Sequence, residues 1–317
     1  MNPWLDDRPM TSLQGLFVPM ITPFTADGEL ALTALDEHAH HVLDAGATGL
    51  VALGTTAEPS ALTAGERARV LDRCAAVCAD RDAPLIVCAG GNATADSVRA
   101  VGELRQPVAG VLAVVPYYVR PSEEGVIAHF TALAAASPAP LYVYDVPYRT
   151  ARPLSGETLV RLAGIPNIAG FKHSVGGIDA ASVELMARAG ETTTVLGGDD
   201  RFASALLALG ARGGILAAAN VAPAAYAELV AAWLAGDVSR GRALGHGLDA
   251  LGAALFAEPN PTVIKAVLAE RGQIPSAAVR LPLLPASSES LVAALRAAEA
   301  AEKFHWSSAS KGARLKR

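Results

Sequence analysis

The sequence predicts an α/β protein, a (β/α)8 TIM barrel with a C-terminal helical extension. Eight short apolar runs, amphipathic stretches between them, and a run-to-run spacing of roughly 25–35 residues together predict it. The runs are continuous rather than alternating. That pattern fits parallel strands buried on both faces.

In chain order the runs are GLFVPMI (15–21), GLVALG (49–54), PLIVCAG (84–90), GVLAVV (110–115), PLYVYDV (140–146), IAGFK (168–172), TTVLGG (193–198) and GGILAAA (213–219). A helix is expected over 63–79. Thr63 can cap it, Glu66 follows three residues later, and Arg67, Arg69, Asp72 and Arg73 form its wet side. The competing architecture, a doubly wound open sheet, calls for a dinucleotide glycine fingerprint after its first strand. Residues 19–29 carry none. After the eighth run only helical patterns remain, rich in Ala, Leu and Val. The expected organisation is therefore a barrel over 14–222, a packed helical extension over 223–302, and a disordered basic tail over 303–317.

The 317 residues are 51% hydrophobic and 18% charged, enough apolar material for a large core. A net charge of −5 and a pI near 5.8 argue against nucleic acid and against anionic membranes. Cys74, Cys78 and Cys88 make no disulfide framework, and the first two read as small buried hydrophobes of a helix. Asp6, Asp7 and Arg8 interrupt any leader-like apolar core, and no run has the length of a membrane span, so a cytoplasmic protein is expected. His38, His40 and His41 invite a metal reading, but 38 and 41 share a helix face that 40 does not, and no partner motif follows. No metal is expected.

Barrel chemistry gathers where strands end and loops begin. The polar residues there are Thr55 and Thr56, Tyr117 and Tyr118, Tyr144 with Arg149, Lys172, and Gly198 with Asp199 and Asp200. Each has a plain structural reading. Lys172 can be a strand-end amine reaching water, Tyr144 an interior phenol, Arg149 a surface charge, and Thr55 and Thr56 a turn. Asp199 and Asp200 read as an N-cap for the next helix. Taken together, an amine, phenols, hydroxyls and a loop guanidinium match one reaction type. A neutral lysine condenses with a ketone, and the iminium acts as an electron sink for carbon–carbon bond chemistry. A phenol can shuttle protons and an arginine can hold a carboxylate.

Six segments, in order, resemble one family. They are GTTAEPSALT (54–63), VPYYVRPSEEG (115–125), YVYDVPYRT (142–150), GFKHSVG (170–176), GGDD (197–200) and EPNP (258–261). The chain is similar to the dihydrodipicolinate synthase / N-acetylneuraminate lyase family of pyruvate-dependent, Schiff-base barrel enzymes. The resemblance covers nearly all of residues 14–300. It implies that Lys172 forms the Schiff base with pyruvate, that Tyr144 is the proton shuttle with Thr55 as its relay, and that Tyr118 completes the triad in a neighbouring subunit. It implies further that Thr55 and Thr56 bind the pyruvate carboxylate and that Arg149 binds the carboxylate of the second substrate. Gly198 and Ile215 would line the site with main-chain groups. No cofactor beyond the covalent lysine–pyruvate adduct is implied. The expected partners are pyruvate, an aldehyde, and sister subunits in a homotetramer built as a dimer of dimers.

The departures are local. Ala57 and Pro59 stand where synthases carry Gly and Ser, Asp145 where many carry Asn, Tyr148 where they carry a small residue, and His173 where Glu or Asp is common. Pro59 and Tyr148 reshape the region where the aldehyde binds. Ala64 and Arg67 occupy positions where lysine-inhibited synthases often carry histidines, so such inhibition is not implied. Three activities stay open: condensation of pyruvate with aspartate semialdehyde, cleavage of a 2-keto-3-deoxy sugar acid, N-acetylneuraminate or 4-hydroxy-2-oxoglutarate, and keto-acid binding without turnover. Thr55 and Arg149 favour the first.

Overall fold

The computed structural model describes residues 13–314, with side chains through Lys303. Residues 1–12, which carry the charges that argue against a leader, and residues 315–317 lie outside that range. The strands are β1 Gly15–Pro19, β2 Gly49–Ala52, β3 Leu85–Cys88, β4 Gly110–Val114, β5 Leu141–Asp145, β6 Ile168–His173, β7 Thr194–Gly197 and β8 Gly213–Ile215. They form a closed barrel in the order β1 to β8. The strand runs were expected at these places, and only β6 extends past its run, by one residue to His173.

β2, β5 and β6 are buried at every position. Burial on both faces removes the selection for alternation, which is why their sequences are continuous apolar runs. Where β8 meets β1, Gly15 N donates to Arg212 O at 2.9 Å and Leu216 N to Phe17 O at 3.2 Å. Gly213 is required there because a Cβ would overlap the Gly15 carbonyl oxygen.

The helices are α1 Leu32–Asp44, α2 Ala64–Asp80, α3 Thr94–Gly102, α4 Glu123–Ala136, α5 Pro147–Thr150, α6 Gly156–Ala163, α7 Ala180–Ala189, α8 Ala203–Ala208, α9 Pro223–Leu234, α10 Val238–Leu255, α11 Thr262–Glu270 and α12 Ser288–Arg314. Several start on side-chain caps. Thr63 and Glu66 form a full capping box on α2, Ser122 caps α4, Ser155 caps α6, and Asp179 with Ser182 boxes α7. α12 runs on to Arg314, into the segment whose composition reads as an irregular tail. The Ala- and Glu-rich stretch ahead of it has high helix propensity.

The chain groups into two compact units. One contains Gly15 and Pro84–Ile215, and the other contains Leu16–Ala83 and the segment from Leu216 onward. The first buries Phe130, Tyr142, Leu159 and Phe171. The second buries Phe17, Phe24, Leu35, Tyr226 and Leu251, so α9 to α12 share a core with α1 and α2. Among the described residues no helix is long and apolar enough to cross a membrane.

Candidate active site at the ends of the barrel strands

Lys172 is the second-last residue of β6, and Tyr144 the second-last of β5. The parallel register pairs them directly, as it pairs Asp145 with His173. Both side chains are only 7% exposed, and the Lys172 amine lies 4.2 Å from the centre of the Tyr144 ring. A phenol and a buried amine are thus held together by two neighbouring strands rather than by mobile loops. Gly198 follows β7 and leaves the space beside the lysine open. A Cβ at that position would stand 2.9 Å from Lys172 Cε.

Behind this pair lies a polar cluster, buried at Asp145, His173 and Ser174 and exposed at Gly176 and Tyr148. His173 Nδ1 is 3.3 Å from Asp145 Oδ2, and His173 Nε2 is 2.8 Å from Ser182 Oγ. Ser174 Oγ donates to Asp199 Oδ1 at 2.9 Å, and Gly176 N donates to Asp199 Oδ2 at 2.6 Å. The Tyr148 hydroxyl donates to Asp199 Oδ1 at 3.4 Å. Desolvation raises the Tyr148 phenol above its ordinary range, and the nearby Tyr144 and Asp199 add to the rise. Arg149, next to it on α5, places its guanidinium 5.7 Å from the Tyr148 ring centre. Its side chain remains exposed, where a planar fork can meet an incoming anion.

Thr55 opens a 3-10 turn, Thr55–Ala57, directly after β2, in the other unit. Thr56 is buried, and its Oγ1 accepts from Asn260 Nδ2 at 2.9 Å. Ile215 ends β8 and is 1% exposed. Tyr118 has a left-handed backbone, with φ of 69°, and is 87% exposed.

Several expectations are corrected. Asp199 and Asp200 do not cap α8: its N-cap is Phe202, and no side chain caps it. Asp199 instead collects three donors from α5 and from the loop after β6, and Asp200 is buried. The segment DVPYRT holds a short helix, since Pro147 at its first turn has no N–H to waste. His38 gives its Nε2 to Asn220 Oδ1 at 2.9 Å, and no group of three metal-ligating side chains occurs among the described residues. Cys74 is buried, and desolvation pushes its thiol up to about 12, so it stays protonated.

Sequence reasoning missed the Asp199 cluster, the His173–Asp145 contact, and a buried ion pair between Lys265 and Glu58. One signal for the last was available. Lys265 sits in TVIKAVLAE, where apolar residues flank it on both sides and leave the helix no wet face.

A closed (β/α)8 barrel with a buried lysine and a phenol at its strand ends fits an enzyme of the lyase class. The chain belongs to the dihydrodipicolinate synthetase family, whose model matches residues 12–301. It is 39% identical over 294 residues to the 4-hydroxy-tetrahydrodipicolinate synthase of Sorangium cellulosum, which covers 91% of this chain and 97% of that one. The chloride-inhibited dihydrodipicolinate synthase of Acinetobacter baumannii, solved with pyruvate, superposes with a TM-score of 0.86 at 34% identity, over 91% of this chain and 99% of that one. A structure described as the first monomeric dihydrodipicolinate synthase variant superposes with a TM-score of 0.88 at 31% identity, over 93% and 98%.

Proposed function

We propose that this protein condenses pyruvate with aspartate semialdehyde, a reading that fits relatives named 4-hydroxy-tetrahydrodipicolinate synthase. The observation that carries the reading is the Lys172–Tyr144 pair, 4.2 Å from amine to ring centre on two registered strands. The Lys172 amine attacks the keto carbon of pyruvate. The adduct loses water to give a protonated imine, and loss of a methyl proton gives an enamine. The enamine carbon then attacks the aldehyde carbon, and the aldehyde oxygen takes up a proton. The amine of the second substrate displaces Lys172 as the ring closes, so one water leaves in the whole sequence.

The Tyr144 phenol moves protons on and off the lysine adduct, and the Thr55 hydroxyl relays them. Thr55 and Thr56 hold the pyruvate carboxylate, Arg149 holds that of the aldehyde, and Gly198 and Ile215 offer main-chain groups. Tyr118 completes the site from the surface of a sister subunit in a homotetramer. That role accounts for an aromatic side chain left 87% exposed in a left-handed backbone. The lysine adduct is the only covalent carrier this chemistry needs, and the reading places the reaction in the cytoplasm.

Borohydride trapping with pyruvate tests the reading, followed by intact mass and peptide mapping. We expect a pyruvate-sized adduct on Lys172, absent from Lys172→Ala. A folded protein that gains no adduct would remove the aldolase reading. A second reading draws on Tyr148, whose phenol reaches Asp199 from a position where synthases carry a small residue. In that case the protein cleaves a 2-keto-3-deoxy sugar acid, N-acetylneuraminate or 4-hydroxy-2-oxoglutarate to pyruvate and an aldehyde, and a substrate screen after trapping separates the two.

A further inference from the structure

Glu58 is out of place in several ways. It is 4% exposed, it lies far from water for a carboxylate, and its backbone is left-handed, with φ of 53°. A residue other than glycine stays in that region only when its surroundings hold it there. The surroundings are specific. Glu58 Oε1 accepts from Lys265 Nζ at 2.8 Å, and Oε2 accepts from the Arg280 backbone N–H at 2.9 Å. Lys265 is fully buried on α11, with its amine 4.0 Å from the centre of the Phe24 ring. The Arg280 guanidinium lies 4.5 Å from the same ring and binds both Glu66 oxygens, at 2.9 and 2.6 Å.

Glu58 is the residue that ends the Thr55–Ala57 turn. The rest of that turn is held just as tightly. Thr56 Oγ1 accepts from Asn260 Nδ2, and Ala57 O accepts from Thr22 Oγ1 at 2.8 Å. A buried ion pair is a poor source of stability compared with apolar side chains of the same size. What it provides is direction: two fixed donors on one carboxylate leave the turn one conformation. The mechanism proposed above uses neither Glu58 nor Lys265.

We propose that Lys265 is a positioning residue, which acts through Glu58 to fix the Thr55–Thr56 turn in the geometry that receives the pyruvate carboxylate. The inference rests on the pyruvate reading. Lys265 touches no reacting atom. Its effect is on how well the turn is preorganised for the anion.

The test uses two variants of the full chain. Lys265→Met leaves Glu58 buried and unpaired, and this variant can fail to fold. The double variant Glu58→Gln with Lys265→Met removes both charges, keeps the volume, and lets the new amide accept from Arg280 N–H. Borohydride trapping is titrated with pyruvate in the double variant and in the unchanged protein, with thermal unfolding as the fold control. We expect a folded double variant whose half-saturating pyruvate concentration rises about tenfold or more, as expected for loss of a preorganised anion contact. The trapping amplitude at saturation and the KM for the aldehyde should stay near those of the unchanged protein. Equal half-saturation in both proteins would overturn the positioning role and leave the pyruvate reading intact. No adduct in the unchanged protein would overturn both. A double variant that does not fold would also overturn the proposal, because the pair would then be structural.

Discussion

Burial outweighs every partner at His38. Its imidazole is pushed down to about 4 by desolvation, against a weaker upward pull from Asn220 and with a small further push from His41. The bond pattern fixes the tautomer. Asn220 Nδ2 donates to Pro19 O and Ala217 O, so Asn220 Oδ1 is left to accept and neutral His38 donates from Nε2. Neutral in the fold, with an ordinary value near 6.5 when unfolded, the group is stabilising above about pH 6.5. That contribution is lost as pH falls from 6.5 toward 4, because the unfolded chain then binds the extra proton. Urea unfolding at pH 7 and pH 5 should show a loss for the unchanged protein that exceeds the loss for His38→Gln by about 2 kcal/mol. Equal losses would mean that His38 is not the titrating group. At the same scale, Lys172 was legible in the sequence as a strand-end lysine after an apolar run. Its partner Tyr144 was legible in the same way. Asp199 was not, because two acidic residues before a helix look like a cap whatever their real partners are.

Elements were legible where their own residues carry the whole reason for them. The eight strands are continuous apolar runs, and α2 begins with a Thr–Glu box that the structure contains in full, Thr63 Oγ1 with Glu66 N and Glu66 Oε2 with Thr63 N. Thr63→Ala should cost about 1 kcal/mol, read as a lower urea midpoint with an unchanged slope. A midpoint that does not move would show that the Glu66–Arg280 bonds hold the start of α2 without the cap. Glu66 also gains from those bonds: its carboxyl is drawn down to about 2, first by Arg280 and then by the Thr63 backbone. Short elements were harder to read. α5 and α8 are set by a proline and by packing rather than by periodicity, and a four- or six-residue helix is too brief to show a 3.6-residue pattern.

At the scale of the molecule, the segment after Leu216 belongs to the same compact unit as β2 and α2. It supplies Asn260 to Thr56, Lys265 to Glu58, and Arg280 to Glu66. We propose that the barrel over 14–222 and the helices over 223–302 fold as one piece. A chain ending at residue 222 would leave Glu58 buried without its lysine, a change that is strongly destabilising. Circular dichroism and gel filtration should find it unfolded or aggregated. A folded, monodisperse product would show instead that the helices are an independent appendage.

Local sequence determined the strand set, the capped helices and the strand-end placement of Lys172 and Tyr144. Each of these depends on residues within a few positions of one another, where periodicity, caps and apolar runs act directly. The tertiary structure alone decided where Asp199 finds its donors and how Glu58 is held. Glu58 and Lys265 are 207 positions apart. Nothing near either residue in the sequence names the other. Only the closed arrangement of strands and helices brings the two charges out of water to the same place, and there each makes the burial of the other tolerable.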